Sequence, residues 1–489
     1  MTAAAAHRFF SDAAGSLSRG DVAEALAIAT AGLLKFPQYP PLLMIAGVAQ
    51  LHRGRLDLAE GCLSMAYKLA PNYPDAAYNL GFLLESKGDL VGAIARYQET
   101  LALQPRHLPA TFNLGNAFKA SGDIASAEGC YRQVLDVGPH PEALKNLGIL
   151  ALEADNHIEA EKHFRAGLAL SENPDIESYL GFTLLAQERF AEGWQFYEAR
   201  LKAKPESILP ALIDPESWDF NPAGTVLVWT EEGIGDVVMF ASVLQNVLDR
   251  CERVILAADE RLHALFSRSF PANLSLCSDN GDISSGDIDA QVGLASCIGR
   301  FRKTVGQFSE ASHGYLKADE SRVVHLKSKL NQLAAGKPVV GISWSSVNEE
   351  TGMDRSLALA ALVDVLGPRK HFLVNLQYGD ITADLAGLGE QVAFLHQEVT
   401  VDVTRDLDGL AALIKACDII VSIDNSTVHL AGALGVQQII LLPKPCSWRW
   451  GIDHDVSVFY AKTKLLRQQS RGDWSNLVHL PALLSQTIG

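Results

Sequence analysis

Apolar residues in the first 200 positions recur with the period of an α-helix. Within residues 74–105 they fall into two runs, which predict two helices. The first run contains Tyr78, Leu80, Leu83 and Leu84, and the second contains Ala93, Ile94, Tyr97 and Leu101. Gly88 and Asp89 form a turn between them, and Pro105 ends the second helix because it cannot continue one. The pattern predicts a helix–turn–helix unit.

This unit repeats every 34 residues. Prolines mark the unit ends, and turn glycines keep the same step, at Pro37, Pro71, Pro105 and Pro139 and at Gly20, Gly54, Gly88 and Gly122. The period, and the pattern of Asn-Leu-Gly, Gly-Asp, Ala and Tyr within it, resemble the tetratricopeptide repeat. We expect an α-solenoid over residues 1–205, with five full repeats to about residue 173 and a degenerate sixth as a cap.

Solenoids of this kind usually present a concave groove that binds an extended peptide or another protein. Asn79, Asn113 and Asn146 recur with the repeat and are candidates to bind an acceptor protein in that groove. Alternatively, these amides cap or brace their own helices. Both interpretations stay open at this point.

The pattern changes after the repeats. Four prolines, at 205, 210, 215 and 222, interrupt helix formation and predict a linker at 206–223. Short β-branched runs then alternate with helical stretches, as in TVLVW, RVILAAD, PVVGISW, HFLVNLQ, DIIVSID and QQIILLP. Such alternation predicts parallel, doubly wound α/β sheets. We expect two facing domains, 224–334 and 335–489.

Ligands of open parallel sheets bind beyond the carboxyl ends of the strands. One such loop contains Gly233, Gly235 and Asp236, which begin a helix after the first strand. Asp236 is a candidate general base, although a carboxylate at this place can also be a helix N-cap.

A second loop contains Asp424-Asn425-Ser426 at a strand end, with His429 in the first turn of the next helix. Free amides and the helix dipole make this N-terminus suited to a diphosphate. An ordinary capped turn with a packed histidine is the alternative.

The segments GIGDVVMFASVL, VGISWSS, NLQYGD and DIIVSIDNSTVHLAGALG occur in that order. Together they resemble the heptosyltransferase-like family of GT-B glycosyltransferases, in the branch fused to tetratricopeptide repeats. The resemblance spans about residues 224–475 and implies a cleft between two Rossmann-like domains. It also implies a nucleotide-sugar donor held mainly by the second domain, an acceptor near the first, and no metal or other cofactor.

By position, the resemblance makes Asp236 the catalytic Asp and residues 424–429 the donor loop. Asn425 and Ser426 depart from the hydroxyl and small residues usual there. The family often has a Lys after the strand that ends Ser343-Trp344, where this chain has Ser345 and Ser346, so Arg355 is a candidate to replace its charge. The predicted donor-binding residues are Gly235, Ser343, Trp344, Arg355, Gln377, Asp424, Asn425, Ser426, Thr427, His429 and Trp448.

Several of these have structural alternatives. Arg355 can pair with Glu349, Glu350 or Asp354 on the surface. Gln377 can cap its own loop rather than touch the nucleotide. Trp448, with Arg449 and Trp450, can close over the donor or form a packed cation–π corner. Asp287 and Asp289 mimic a D-x-D metal motif, but we interpret them as loop and cap residues and expect no metal site.

The charge composition of the chain disfavours two classes of binding partner. The chain has 489 residues with 57 acidic and 41 basic side chains, a formal net charge of −16, which disfavours nucleic acid and anionic membranes as partners. Seven dispersed cysteines without a CxxC pair indicate reduced thiols in a cytoplasmic protein. No targeting segment or run of ~18 apolar residues is evident.

The sequence therefore predicts a glycosyltransferase that modifies Ser or Thr of a protein recruited by the repeats. Flagellin is one possible acceptor, since related bacterial fusions include flagellin glycosyltransferases. Two alternatives are a transferase acting on lipopolysaccharide or polysaccharide, and a non-catalytic scaffold with a decayed GT-B half.

Overall fold

The computed structural model describes residues 3–203, 218–278, 288–309, 311–346 and 352–488. The chain divides into two compact units. The first contains Met1–Ala151 and Lys162–Glu172, and the second contains Leu152–Glu161 and Asn173–Gly489.

Five successive helix pairs form the N-terminal region, as the sequence predicts. The pairs are α1 (Ala3–Ser18) with α2 (Val22–Lys35), α3 (Pro40–His52) with α4 (Leu56–Leu69), α5 (Pro74–Ser86) with α6 (Leu90–Leu103), α7 (Leu108–Ser121) with α8 (Ile124–Val137), and α9 (Pro141–Glu153) with α10 (His157–Leu168). The repeat period is thus the period of the helical hairpins.

The recurring glycines and aspartates explain where the helices end and begin. Gly88 has a φ of +81°, a left-handed conformation that side chains other than glycine rarely adopt. Asp89 caps α6 by accepting a hydrogen bond from the backbone N–H of Gly92 at 2.9 Å. Gly122 and Asp123 repeat this arrangement one unit later, with a φ of +85° and a bond from Ser126 N at 3.1 Å.

Within a pair, the helices touch at a glycine. A Cβ added to Gly81 of α5 would lie 2.9 Å from the ring of Tyr97 on α6, a fully buried residue. The Tyr97 hydroxyl donates to Glu85 Oε2 at 2.6 Å, so the ring is held in place at both ends. This close approach depends on the absence of a side chain at Gly81.

We expect Gly81→Val to lower the free energy of unfolding by about 1–3 kcal/mol, because the added methyls overpack the Tyr97 ring. Gly61→Val is the matched control. Gly61 is also in a helix interior, but it is exposed and has open space around its Cβ position, so a change within about 0.5 kcal/mol is expected. Urea unfolding followed by circular dichroism compares the two. Equal losses would show that Val in a helix, rather than the contact, is responsible.

The second unit contains two parallel sheets, which confirms the α/β prediction for this region. One has the order β3-β2-β1-β4 and the other β10-β9-β8-β5-β6-β7. The strands are β1 (Ala223–Trp229), β2 (Cys251–Ala257), β3 (Leu274–Cys277), β4 (Ala290–Gly293), β5 (Val339–Ser343), β6 (Phe372–Asn375), β7 (Leu395–His396), β8 (Ile419–Ile423), β9 (Gln438–Leu442) and β10 (Thr463–Arg467).

Helices surround these sheets. They are α11 (Pro174–Ala186), α12 (Phe190–Tyr197), α13 (Arg200–Ala203), α14 (Ile234–Phe240), α15 (Leu244–Leu248), α16 (His263–Ser269), α17 (Leu294–Phe301), α18 (Glu320–Ala334), α19 (Gly352–Arg355), α20 (Leu359–Leu366), α21 (Thr382–Gly387), α22 (Leu407–Ala416), α23 (Ser426–Ala433) and α24 (Leu480–Ile488). In the described residues, no helix has the length and apolar character needed to cross a membrane.

The degenerate sixth helix pair, α11 and α12, belongs to the second unit. Trp194 of α12 packs edge-on against Trp448 with ring centres 5.5 Å apart, and Phe190 packs against Phe308 at 4.6 Å. The indole N–H of Trp194 also donates to the carbonyl of Arg302 at 2.7 Å. The boundary predicted at residue 205 therefore lies inside the second unit, because aromatic packing joins the cap to the α/β region.

The linker at 206–223 and the pair Asp287 and Asp289 were predicted to be loop segments. Residues 206–217 of the predicted linker, and Asp287, lie outside the described residues. Asp289 accepts a hydrogen bond from the backbone N–H of Thr225 at 2.7 Å and so fixes the start of β1, in accord with its interpretation as a loop residue.

Candidate functional site

A cleft of about 750 Å³ opens in the second unit, between its two sheets. Its wall consists largely of loops that follow the carboxyl ends of strands. Residues 230–237 follow β1, Ser346 follows β5, Tyr378 follows β6, and residues 424–426 follow β8. This is the edge at which parallel α/β sheets generally bind ligands.

The two loops singled out from the sequence meet in this cleft at Gly235. A Cβ added to Gly235 would lie 3.0 Å from Cδ2 of His429 and 3.3 Å from the Cα of Ser426. The start of α14 can therefore lie against the start of α23 only because this residue has no side chain. Glycine here brings the base candidate and the predicted donor loop to one place.

Asp236 is in the first turn of α14, on the cleft wall. The N-cap of this helix is Gly233, and no side chain caps it, so Asp236 is not the N-cap. Its Oδ1 instead accepts a hydrogen bond from Nε of Arg449 at 2.5 Å, and Nη2 of Arg449 contacts the same oxygen. Asp236 is therefore available to the cleft but engaged in an ion pair.

Arg449 itself was not among the predicted binding residues. It lies in the short turn Trp448–Trp450, and its guanidinium is 4.8 Å from the centre of the Trp448 ring. Trp448 is buried among aromatic rings rather than exposed in the cleft, so it forms the cation–π corner considered as its alternative role. The WRW sequence was the available signal, and the arginine, not the tryptophan, reaches the cleft.

The segment after β8 supplies four residues to the wall, Asp424, Asn425, Ser426 and His429. The side chain of Asn425 serves as the N-cap of α23, with Oδ1 accepting from the backbone N–H of Thr427 at 3.0 Å. Its Nδ2 donates to Ser343 Oγ at 2.7 Å and so joins the ends of β8 and β5. Thr427 is fully buried and does not line the cleft.

His429 is buried under the donor loop. Its Nδ1 lies 3.0 Å from the hydroxyl of Tyr460, and its ring stacks on Trp450 with centres 5.4 Å apart. Burial lowers the pKa of His429 to about 3, although the nearby Asp424 carboxylate opposes the shift. The imidazole is therefore neutral near pH 7 and brings no positive charge to a bound phosphate.

Arg355 lies on the cleft wall beside the donor loop. Its Nη1 is 3.8 Å from Oδ2 of Asp424 and 3.5 Å from the Asp424 backbone oxygen. Of the surface partners considered for it, Glu349, Glu350 and the Asp354 side chain lie outside the described residues. Arg355 thus places a cation beside Asp424 on the cleft wall, and its role as the replacement for a lysine stays a prediction.

Three predicted donor-binding residues lie behind the wall. Ser343, Trp344 and Gln377 are fully buried. Oε1 of Gln377 accepts from Ser343 Oγ and from the backbone N–H of Trp344, both at 2.8 Å. Trp344 donates its indole N–H to Asp384 at 2.9 Å. These contacts brace the loops of β5 and β6, which matches the capping alternative for Gln377.

The loop that precedes Asp236 is held by the cap helices, which the sequence did not reveal. Arg200, nine per cent exposed, bonds Oε1 of Glu231 through Nη2 at 2.5 Å and Glu198 through Nη1 at 3.0 Å. The Tyr197 hydroxyl donates to Glu232 Oε1 at 3.0 Å. Burial raises the pKa of Glu231, and Arg200 counteracts that rise. A buried arginine thus fixes the β1 loop to the cap.

The candidate groove residues belong to the first unit, and each makes contacts within it. Asn79 donates to the backbone oxygen of Asp75 at 2.7 Å, and Asn113 donates to the Tyr78 hydroxyl at 3.1 Å. Asn146 is buried and donates to Asn116 Oδ1 at 2.9 Å. These contacts are those of the bracing alternative. Among the described residues of the whole chain, no group of three His, Cys, Asp or Glu residues could hold a metal ion.

Comparison with known proteins identifies the repeats. The family model described as tetratricopeptide repeat matches residues 16–74 and 112–175. The N-terminal region carries tetratricopeptide repeats. Solved structures similar to the chain include pilF of Pseudomonas aeruginosa (16% identity, 41% of this chain and 92% of that one, TM-score 0.38). A thermophilic TPR protein of Thermus thermophilus is also similar (20% identity, 37% of this chain and 99% of that one, TM-score 0.32).

One curated relative covers more of the chain. Protein FlbA of Caulobacter vibrioides is 29% identical over 311 residues, which is 60% of this chain and 51% of FlbA. The chain thus spans about half the length of that relative. Because the helix pairs up to residue 203 make up less than half of the chain, the similarity extends into the region of the two sheets.

Proposed function

We propose that this protein is a glycosyltransferase that moves a sugar from a nucleotide-sugar donor to a protein acceptor recruited by the tetratricopeptide repeats. The observation that carries the proposal is the meeting of Asp236 with residues 424–429 and Arg355 in one cleft between two parallel sheets. A general-base carboxylate, helix N-terminal amides and cations are the groups that such a transfer needs.

In the proposed reaction, Asp236 takes the proton of a Ser or Thr hydroxyl while that oxygen attacks the anomeric carbon of the donor. The bond from this carbon to the diphosphate oxygen breaks, and negative charge develops on the leaving nucleotide. The amides at the start of α23 and the guanidinium of Arg355 stabilise that charge. The neutral His429 supports the loop by packing and hydrogen bonding.

A protein acceptor follows from the repeats, since arrays of this type bind protein segments on extended surfaces. The notion of flagellin as acceptor rests on the resemblance of the sequence to repeat-fused, heptosyltransferase-like enzymes. A polysaccharide acceptor and a non-catalytic scaffold are the outcomes that the tests must separate from it.

The first test titrates the full chain calorimetrically with UDP-, GDP-, ADP- and CMP-sugars. We expect saturable binding of one nucleotide class. Candidate acceptors, flagellin among them, are then co-expressed with and without the chain and weighed intact, and an added sugar mass is expected on one of them. If no nucleotide sugar binds, the cleft is not a donor site and the scaffold explanation stands.

The class of acceptor is tested by deleting residues 1–138, which leaves α9 and everything after it. A protein acceptor should then go unmodified while nucleotide-sugar binding is retained. Continued modification of a small saccharide acceptor at the full rate would favour the polysaccharide alternative.

A further inference from the structure

The cations of the cleft are already paired. In the described part of the chain, three arginines reach its wall, and each faces a carboxylate of the same wall: Arg261 bonds Asp259, Arg355 faces Asp424, and Arg449 bonds Asp236. A diphosphate brings further negative charge into this wall. The diphosphate therefore competes with these carboxylates for the arginines.

Of the three pairs, that of Arg449 and Asp236 has the most direct consequence for catalysis. Nε and Nη2 of Arg449 both contact Oδ1 of Asp236. The pair is mostly buried, with 17% of the arginine side chain and 22% of the aspartate side chain exposed. Charge-assisted hydrogen bonds are strong in such surroundings, so an incoming anion must compete with Asp236 for this arginine.

Arg449 is also held where a diphosphate at the start of α23 would lie within its reach. Its Nη1 donates to Ser447 Oγ at 2.8 Å, and its guanidinium packs over the Trp448 ring. Asp236 and the donor loop share the wall at Gly235. Thus the arginine lies beside both the base and the predicted leaving-group site.

We propose that the diphosphate of the nucleotide donor competes with Asp236 for Arg449, so that donor binding releases the base. This rests on the proposed function and assigns a role to a residue which that proposal leaves unused. Without donor, Oδ1 of Asp236 is occupied by Arg449. With donor, Arg449 binds the leaving group and Asp236 becomes available to the acceptor.

The competition predicts that one variant, although it alters a residue of the cleft, binds nucleoside diphosphate more tightly than the unchanged protein. Asp236→Asn removes the competing charge and should tighten nucleoside diphosphate binding, by roughly 5- to 150-fold if the coupling has the usual size. Arg449→Met should weaken binding by a similar factor. In the double variant, Asp236→Asn should no longer tighten binding, because its effect passes through Arg449.

The probe is the nucleoside diphosphate, UDP, GDP or ADP, whose sugar form binds best, titrated calorimetrically at fixed salt. Arg449→Lys, which keeps a charge in the aromatic corner, replaces Arg449→Met if the latter does not fold; it should retain part of the affinity and part of the coupling. Asp259→Asn removes the partner of Arg261 on the same wall and is the charge-matched control; its effect on binding should not depend on Arg449.

The outcomes are distinct. If Asp236→Asn leaves the Kd unchanged or weakens binding, or tightens it equally in the Arg449 variants, the competition is wrong even though the cleft binds nucleotide. If the unchanged protein binds none of the three nucleoside diphosphates, the proposed function fails together with this inference.

Discussion

Asp236→Asn is expected to lower sugar transfer by a factor of roughly 10² to 10⁴, the contribution of a general base. The amide has nearly the shape of the carboxylate but cannot accept the proton of the acceptor hydroxyl. Since Asp236 is not the cap of α14, the substitution removes no cap from that helix. Transfer is measured as the rate at which sugar mass appears on the acceptor.

The control for this variant is Asp249→Asn. Asp249 is an exposed carboxylate outside the cleft that accepts a hydrogen bond from Gln245 at 2.7 Å, so its loss should leave transfer unchanged. Undiminished transfer by Asp236→Asn, with the protein folded and donor bound, would remove Asp236 from the role of base.

Arg200→Met is expected to destabilise the second unit by about 3–5 kcal/mol, because it leaves the buried Glu231 carboxylate without its partner. The loop before Asp236 should also lose its fixed position, so transfer should fall with the loss of stability. Thermal unfolding should show a melting temperature lower by on the order of 10 °C. Adding Glu231→Gln should recover part of the loss, since a neutral amide costs less to bury unpaired.

Arg189→Met is the matched control for Arg200→Met. Arg189 also pairs with two glutamates, Glu161 and Glu192, but 41% of its side chain is exposed. Removing an exposed pair costs at most about 1 kcal/mol. Equal effects of the two substitutions would mean that the buried contacts of Arg200 do not hold the β1 loop.

Local pattern was enough to predict the repeats and most of the parallel strands. The repeat helices have strong 3.6-residue periodicity with turns at Gly88-Asp89 and Pro105, and strands such as β5 and β8 are continuous apolar runs. The strands β3, β7 and β10 were missed: β3 is four residues long and only half-buried, β7 has two residues, and β10 mixes polar with apolar residues, so none of them has such a run. The cap was assigned to the array because its helices look like repeats, whereas Trp194 joins it to the α/β region.

Some features of the candidate site could likewise be predicted from local sequence, and others could not. The positions of Asp236, Arg355, Asp424, Ser426 and His429 on a shared wall follow from the rule that strand ends of parallel sheets meet at one edge. The roles of Gln377, Asn425 and Trp448 did not follow, because each is decided by contacts with residues far away in sequence. Arg449 and Arg200 were missed for the same reason, since their partners lie 213 and 31 positions away.

Because α11 and α12 belong to the second unit, the number of repeats can change without a change in the contacts that hold the cleft loops. A whole repeat added or lost before α9 alters the length of the array, but it leaves the contacts of Trp194, Tyr197 and Arg200 intact. Under the proposed function, the range of acceptors would therefore diversify by duplication of 34-residue units without a change in the cleft. A chain cut at residue 205 would instead uncover Trp448 and Phe308, and we would expect it to aggregate.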